Sequence, residues 1–236
     1  MKLLFTFIFL LISISYSFSA KPTHSEWDEL LKKHVNGSGK VNYTNFKKDV
    51  AKLDAYIKIL KDNAPESDWS ANEKKAFWIN CYNAHAIKLV ISKNVTKSIN
   101  DLKVDGKGAF DYDFIEVGGT KMSLNDLETN KLRKAFKDGR IHFAVNCASI
   151  SCPTLYNKAF TADNVESNLS MLVKKFITDK SRNKIATDKA ELSKIFDWYK
   201  EDFGNVVDFI NKYSSVKMKA ETKITYLEYD WNLNKQ

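Results

Sequence analysis

Apolar side chains recur every three or four residues along several stretches of the chain, which is the spacing of an amphipathic α-helix. Phe46, Val50 and Leu53, for example, continue through Ile57 and Leu60 as one stripe. Glycine, proline and short polar clusters separate these stretches and predict where each helix ends. The predicted helices cover about 26–34, 43–63, 71–93, 124–137, 162–178 and 195–213, the last interrupted near Gly204.

The helix predicted over 71–93 is apolar on more than one face, so we expect it to be buried at the centre of the fold. Ser70 and Glu73 form a capping box at its start. Asn80 and Asn83 interrupt the apolar positions and lie three residues apart, on one face. Because a buried amide needs hydrogen-bond partners, we expect both to hold a neighbouring loop or to line a binding pocket, with the first role favoured.

Alternating apolar and polar positions predict short strands elsewhere. Asp113–Val117 and Thr120–Met122 flank a Gly-Gly pair, which is typical of a β-hairpin. Arg140–Asn146 alternates in the same way and predicts a central strand. Further short strands are predicted at about 184–187, 191–193 and 222–229. Runs of helix and runs of strand, without strict alternation, indicate an α+β fold in which several helices are packed around a small, mostly antiparallel sheet.

The first 20 residues have the order of a secretory signal peptide: Lys2, an apolar run over 3–12, and small residues ending at Ala20. The apolar run is too short to span a bilayer comfortably. We predict cleavage after Ala20 and export of residues 21–236 as a single domain, periplasmic or secreted, with no transmembrane segment once the signal is removed.

Lysine and arginine total 37 against 29 acidic residues, for a net charge of +8. The lysines are spread along the chain, with no basic stripe carrying interleaved aromatic residues, so nucleic acid is not an expected partner. A peptide, a glycan or another small ligand is the expected partner. His24 lies near a terminus and His34 at a helix end, and we expect both to be exposed.

Export would place Cys81, Cys147 and Cys152 in an oxidising compartment. An odd number leaves at least one thiol free or paired between molecules. Cys147 and Cys152 are close enough in sequence to form a disulfide, and that bond is the main alternative to a reactive Cys147. The spacings typical of zinc ligands do not occur, so we expect neither a metal site nor a cofactor.

Six motifs follow one another from about Ser70 to the end of the sequence: AFWINCYNAHAI (Ala76–Ile87), VGGTKMSLNDLE (Val117–Glu128), LR (Leu132-Arg133), RIHFAVNCASISCP (Arg140–Pro153), IFDWYKEDF (Ile195–Phe203) and YDWNLN (Tyr229–Asn234). In this order they resemble the domain-of-unknown-function 547 family. What the resemblance implies is limited, because the family has no assigned function. The helix after the hairpin often reads Ile-Glu-His in that family, whereas this chain has Thr129 at the last of the three positions.

One hypothesis is a cysteine-dependent acyl hydrolase or transferase with papain-like or transglutaminase-like chemistry. Cys147 would attack an acyl carbon, His142 would carry the proton, and Asn80, Asn83 or Glu128 would orient the histidine. His142 precedes Cys147 by five residues, so an extended chain would separate their Cα atoms by about 16 Å at about 3.3 Å per residue. That distance argues against the pair unless the chain folds back sharply. His85 is the alternative base.

The other hypothesis is a non-catalytic secreted binding domain. A Cys147–Cys152 disulfide would brace its binding loop, with Asn80, Asn83 and Glu128 nearby and Asp230 added from the C-terminal motif. A structural domain with no small-molecule site is a third, plainer interpretation. The state of Cys147 distinguishes these functions, because a disulfide removes the thiolate that catalysis requires.

Overall fold

The computed structural model describes residues 20–236. The predicted signal peptide, except Ala20, therefore lies outside the described residues. None of the helices within residues 20–236 combines the length and apolar composition needed to span a bilayer.

The N-terminal helices form where the apolar spacing predicts them. Helix α1 covers Ser25–His34, α2 covers Tyr43–Phe46, and α3 covers Val50–Asp62, with a 3₁₀ turn at Lys47–Asp49 joining the last two. Trp27 of α1 stacks on Tyr56 of α3, with ring centroids 5.6 Å apart and planes 3° from parallel. This contact joins α1 and α3 through fully buried aromatic rings.

Helix α4 (Ala71–Ser92) is the buried central helix that the sequence predicts. Every residue from 75 to 87 is buried, so the helix has no solvent-facing stripe over that length. The predicted capping box is confirmed: the Glu73 backbone N–H donates to Ser70 Oγ at 3.2 Å, and the Ser70 N–H donates to Glu73 Oε2 at 2.7 Å. These two bonds satisfy donors that the first helical turn leaves free.

The strands within residues 20–236 form three small sheets. In the three-stranded sheet the order is β5–β6–β7, with β5 and β6 antiparallel and β6 and β7 parallel. The hairpin predicted at Gly118-Gly119 is confirmed, and so is the α+β fold class. The strands are β1 (Lys103–Val104), β2 (Lys107–Gly108), β3 (Ile115–Val117), β4 (Thr120–Met122), β5 (Lys184–Ile185), β6 (Lys189–Leu192) and β7 (Lys223–Tyr226).

The helix predicted over 124–137 contains a π-helical segment. Short α-helical turns at α5 (Leu124–Asp126) and α6 (Lys134–Phe136) enclose π-helix over Leu127–Arg133. A π-helix bonds residues five apart, so Glu128 and Arg133 come to the same side of the segment. Such wide turns are frequent at functional sites.

The central strand predicted at Arg140–Asn146 is wrong. Gly139–Phe143 forms a 3₁₀ helix, with Asp138 Oδ1 accepting a hydrogen bond from the Arg140 N–H at 3.1 Å. The apolar alternation was misleading because residues 141–146 are all buried, so the segment has no exposed face. Arg140 and Lys75 both pair with Asp138 and Glu166, which fixes the 3₁₀ segment between α4 and the next helix.

The C-terminal third completes the fold. Helix α7 covers Val165–Thr178, followed after β6 by α8 (Ile195–Trp198), α9 (Lys200–Phe203) and α10 (Val206–Tyr213). The interruption predicted near Gly204 is present. Residues 229–236 then run back through the molecule. Isolated β-bridges there join Asn232 to Ser98, Leu233 to Ser149 and Lys235 to Val41.

The expectation that His24 and His34 are exposed is wrong. His24 is 6% exposed and packs edge-on against Tyr56 and Phe77. His34 is 2% exposed, stacks on Phe46 and bonds Asp49 at 2.7 Å. Both histidines lie where α1 meets the core, so a position near a helix end did not indicate exposure.

Candidate functional site

A cavity of about 260 Å³ lies where four parts of the chain meet. These are α4, the π-helical segment, the loop over residues 147–152 (the cysteine loop) and residues 229–236 (the C-terminal segment). His142, Glu128, Cys147 and Cys152 line it together. A larger groove of about 820 Å³ lies beside the three-stranded sheet and contains none of the residues that the sequence singled out. The remaining lining residues of the smaller cavity are Tyr82, Phe110, Asp111, Asn125, Val145, Pro153, Ile195, Trp198, Tyr199, Tyr229 and Trp231.

Aromatic rings form much of the cavity wall. Trp198 and Trp231 stack with centroids 5.8 Å apart, and Tyr229 contacts both at 4.8 and 4.6 Å. Trp198 is 46% exposed, unusual for so large an apolar side chain. Exposed aromatic clusters beside a cavity are typical of binding sites.

Cys147 and Cys152 form a disulfide in the cavity wall. The Cys152 sulfur accepts a hydrogen bond from the Cys147 N–H at 3.0 Å and another from the Tyr229 hydroxyl at 3.2 Å. Ser149 Oγ in turn donates to Tyr229 Oη at 3.1 Å. Cys147 therefore has no thiolate in this bonded form. Cys81 is a free, buried cysteine inside α4, where burial raises its thiol pKa.

His142 is held between two carboxylates. Its Nε2 bonds Asp202 Oδ2 at 2.7 Å, and its Nδ1 lies 3.6 Å from Glu128 Oε1. Arg133 Nε donates to the same Asp202 oxygen at 2.5 Å. The hydrogen bond from His142, together with that from Arg133, lowers the Asp202 pKa to about 2. Asp202 is therefore ionised at neutral pH.

Glu128 is buried at the inner end of the cavity, on the π-helical segment. Tyr82 and Tyr199 lie close enough to its carboxylate to interact with it electrostatically. Burial, with the nearby Glu128 charge, raises the pKa of both phenols, so both stay protonated at neutral pH. Tyr199 also stacks on the His142 ring at 4.0 Å, which fixes the orientation of the imidazole.

The surroundings of His142 and His85 determine whether either can act as the base for Cys147. The 16 Å separation estimated for an extended strand does not apply, because His142 lies in a 3₁₀ helix and lines the same cavity as Cys147. Each imidazole nitrogen, however, faces a carboxylate. His85 lies elsewhere, with its Nδ1 bonded to the Cys81 carbonyl at 2.8 Å and its ring against Phe114.

The two predicted amide residues hold backbone rather than lining the cavity. Asn80 donates to the Phe160 carbonyl at 2.8 Å and accepts from the Phe160 N–H at 3.0 Å. Asn83 donates to the Ala144 carbonyl at 2.9 Å and accepts from the Asn146 N–H at 2.9 Å. Asn83 thus positions the backbone that leads into Cys147.

Asp230 is exposed and lies beside the cavity rather than in its wall. Its backbone N–H donates to Ser151 Oγ at 2.9 Å, and its carbonyl accepts from the Ser151 N–H at 3.1 Å. The Asp230 side chain caps the turn by accepting from the Asn232 N–H. Asp230 therefore fixes the cysteine loop against the C-terminal segment.

Sequence reasoning assigned no role to Asp202, Arg133, Tyr82 or Tyr199. All four lie inside the motifs quoted above, so the motifs marked the region without indicating which side chains meet. Among residues 20–236, no group of three or more His, Cys, Asp and Glu side chains is placed to hold a metal ion.

Residues 66–177 match a family model described as "Protein of unknown function, DUF547". The matched stretch includes α4, the hairpin, the π-helical segment and the cysteine loop, and this part of the chain belongs to that family. The motifs at Ile195–Phe203 and Tyr229–Asn234 lie beyond the match, so their resemblance stays a prediction. Neither the curated proteins nor the solved structures gave a match to the chain.

Proposed function

We propose that this chain is an exported binding protein whose aromatic cavity holds an alkylammonium cation. One observation carries the proposal: six aromatic side chains and two carboxylates, Asp111 and Glu128, line the cavity, and within residues 20–236 no lysine or arginine does. That lining contrasts with a chain whose net charge is +8. The negative faces of aromatic rings attract cations, most strongly where water is excluded, and quaternary ammonium ligands are the commonest use of such cages.

The charges around the cavity support a cationic ligand. Two guanidinium groups interact with lining residues from outside the lining. Arg133 pairs with Asp202, and Arg182 Nε lies 3.9 Å from Asp179 Oδ2. Asp111 is exposed at the cavity mouth, where Asn125 donates to it at 2.7 Å. Glu128 supplies the inner negative charge. An entering cation thus meets one carboxylate at the mouth and another at the inner end.

The size of the cavity limits the ligand. A volume of about 260 Å³ is just below the range of roughly 300–1,000 Å³ that suits drug-sized molecules. One small headgroup or one side chain therefore fills it. The alternative function, cysteine-dependent acyl transfer, needs a reduced Cys147 and an imidazole nitrogen directed at it. The disulfide and the two carboxylates at His142 favour binding over that chemistry.

Choline is expected to bind the purified chain, whereas dimethylbutanol, its uncharged analogue with carbon in place of nitrogen, is not. Trp198→Ala should weaken choline binding about 2- to 30-fold, because a cation–π contact is worth about 0.5–2 kcal/mol. Isothermal titration calorimetry would measure both affinities.

Met171→Ala is the matched control, because Met171 is 41% exposed and lies on α7, outside the cavity. It should leave choline affinity unchanged. Equal affinity for choline and dimethylbutanol, or no choline binding up to millimolar concentration, would rule out a cation site.

A further inference from the structure

We propose that Cys147–Cys152 is a thiol–disulfide exchange couple in which an incoming thiolate attacks Cys147 and Cys152 leaves. This activity goes beyond ligand binding and does not depend on it. It rests on the unequal surroundings of the two sulfur atoms and on hydrogen bonds that hold the loop without the disulfide.

Access differs between the two cysteines. Cys147 is half-buried, whereas Cys152 is 5% exposed. Both line the cavity, so an attacking thiolate entering it meets the more open Cys147 first. Attack along the S–S bond axis at that sulfur expels the other one.

Hydrogen-bond donors converge on the leaving sulfur. The Cys147 N–H donates only to Cys152 Sγ, and the Tyr229 hydroxyl also donates to it. Burial raises the Tyr229 pKa to about 12, so this phenol keeps its proton at neutral pH. Ser149 Oγ and Tyr229 Oη also lie 3.1 and 3.4 Å from Cys147 Sγ. Each hydroxyl has one proton, however: Ser149 Oγ donates its proton to Tyr229 Oη, and Tyr229 Oη donates its own to Cys152 Sγ. The backbone N–H and the Tyr229 hydroxyl therefore both favour Cys152 as the leaving sulfur.

The reaction balances with thiols alone. A thiolate RS⁻ attacks Cys147 Sγ, the S–S bond breaks, and a mixed disulfide forms between R and Cys147 while Cys152 leaves with the electron pair as a thiolate. A second thiolate then attacks the R sulfur and forms RSSR. Cys147 leaves as a thiolate, and both cysteines take up protons as their pKa values require. The couple gains two electrons, and two RS⁻ become one RSSR. Donors that stabilise the Cys152 thiolate lower its thiol pKa and speed the first step.

The loop keeps its shape through bonds other than the disulfide. The Ile150 N–H donates to the Asn232 carbonyl at 2.7 Å, and the Ser151 N–H donates to the Asp230 carbonyl. Asn146 Oδ1 accepts a hydrogen bond from the Ala148 N–H at 2.8 Å. This bond holds Ala148 in its left-handed backbone conformation, with φ 62°. Opening the disulfide therefore leaves the two sulfurs near each other, as a reversible couple requires.

The test is the rate and the site of disulfide reduction in the folded chain. Glutathione at millimolar concentration is added at about pH 7, samples are quenched with iodoacetamide, and the cysteines are mapped by mass spectrometry. We expect the glutathione adduct on Cys147 and early alkylation on Cys152. Tyr229→Phe should slow reduction about 10- to 150-fold, the loss expected for one hydrogen bond to a charged group.

Tyr226→Phe is the control, since Tyr226 lies on β7 beside Lys194 and away from the loop, and its reduction rate should match that of the parent. Buried Cys81 should stay unlabelled throughout and so reports that the fold is intact. An adduct on Cys152, or reduction that occurs only after denaturant exposes Cys81, would overturn the proposal. So would a Tyr229→Phe rate equal to the parent rate. If Tyr229→Phe fails to fold, the site of the adduct in the parent chain decides.

Discussion

Acidification from about pH 7 to about pH 5 is expected to lower the free energy of unfolding by about 4 kcal/mol, shared by two buried histidines. Burial lowers the pKa of His24 to about 4, against the opposing charge of Glu26. Burial also lowers the pKa of His85 to about 4, against the opposing hydrogen bond to the Cys81 carbonyl. Each imidazole is therefore neutral in the folded chain near pH 5.

The direction of the effect follows from the two states. In the unfolded chain both histidines regain the ordinary pKa of 6.5. As the pH falls through 6.5 the unfolded chain takes up protons that the folded chain does not, so unfolding becomes easier. The stabilisation is complete above pH 6.5 and is lost between about pH 6.5 and pH 4. Each histidine contributes about 2 kcal/mol of that loss by pH 5.

Urea unfolding, monitored by circular dichroism at several pH values, would measure how steeply the free energy of unfolding changes with pH. His24→Asn and His85→Gln are the informative variants because neither new side chain titrates, and Asn tolerates the left-handed backbone at position 24, where φ is 62°. Each variant should remove about half of the pH dependence of the free energy of unfolding. The double variant should show almost no pH dependence over this range. A double variant with the parent slope would assign the effect to other groups.

Replacing Asn83 with Ala is expected to destabilise the fold by about 2–6 kcal/mol. The substitution leaves the Ala144 carbonyl and the Asn146 N–H buried without their side-chain partner, and each such group costs about 1–3 kcal/mol. The free energy of unfolding of Asn83→Asp should lie between those of Asn83→Ala and the parent chain. A carboxylate can still accept from the Asn146 N–H but cannot donate to the Ala144 carbonyl. Denaturant unfolding would measure the free energy of unfolding of both variants and of the parent chain.

Asn80→Ala provides the matched comparison, since Asn80 makes the same pair of bonds to Phe160 from the same helix. We expect a similar loss of stability from both alanine variants. Only Asn83→Ala should also weaken choline binding, because only Asn83 holds the backbone that leads into the cavity wall. That second expectation depends on the proposed cation site. A stability loss below about 1 kcal/mol for Asn83→Ala would contradict the assigned bonds.

The helices could be predicted from the sequence because their signals are local. The apolar stripe of α3, the Ser70–Glu73 capping box and the Gly118-Gly119 turn each act over a few residues, and each has its expected structure. The strand predicted over residues 140–146 is wrong for the opposite reason, since the cause is not local. Burial on every side comes from α4 and α7, which are distant in sequence, and an alternating pattern cannot reveal it.

The candidate site was predicted in part. Cys147, His142 and Glu128 were singled out and do line one cavity, and the disulfide was one of two alternatives left open. Asp202 and Tyr199 could not be assigned, because their role depends on how α8 and α9 pack against the 3₁₀ segment. No spacing between His142 and Asp202 along the chain predicts that contact.

The C-terminal segment also determines when the cavity can form during folding. Trp231 belongs to a stretch that pairs with residues near the start of the fold. Asn234 Nδ2 donates to the Gly39 carbonyl, 195 residues away in sequence. The Gln236 N–H donates to the Val41 carbonyl. Contacts of such separation close late, since long loops must be ordered before the contacts stabilise them. Helix α4 can form early, yet the aromatic wall is incomplete until the 229–236 segment packs against the fold. Completion of the aromatic wall therefore belongs to the end of folding rather than to its beginning.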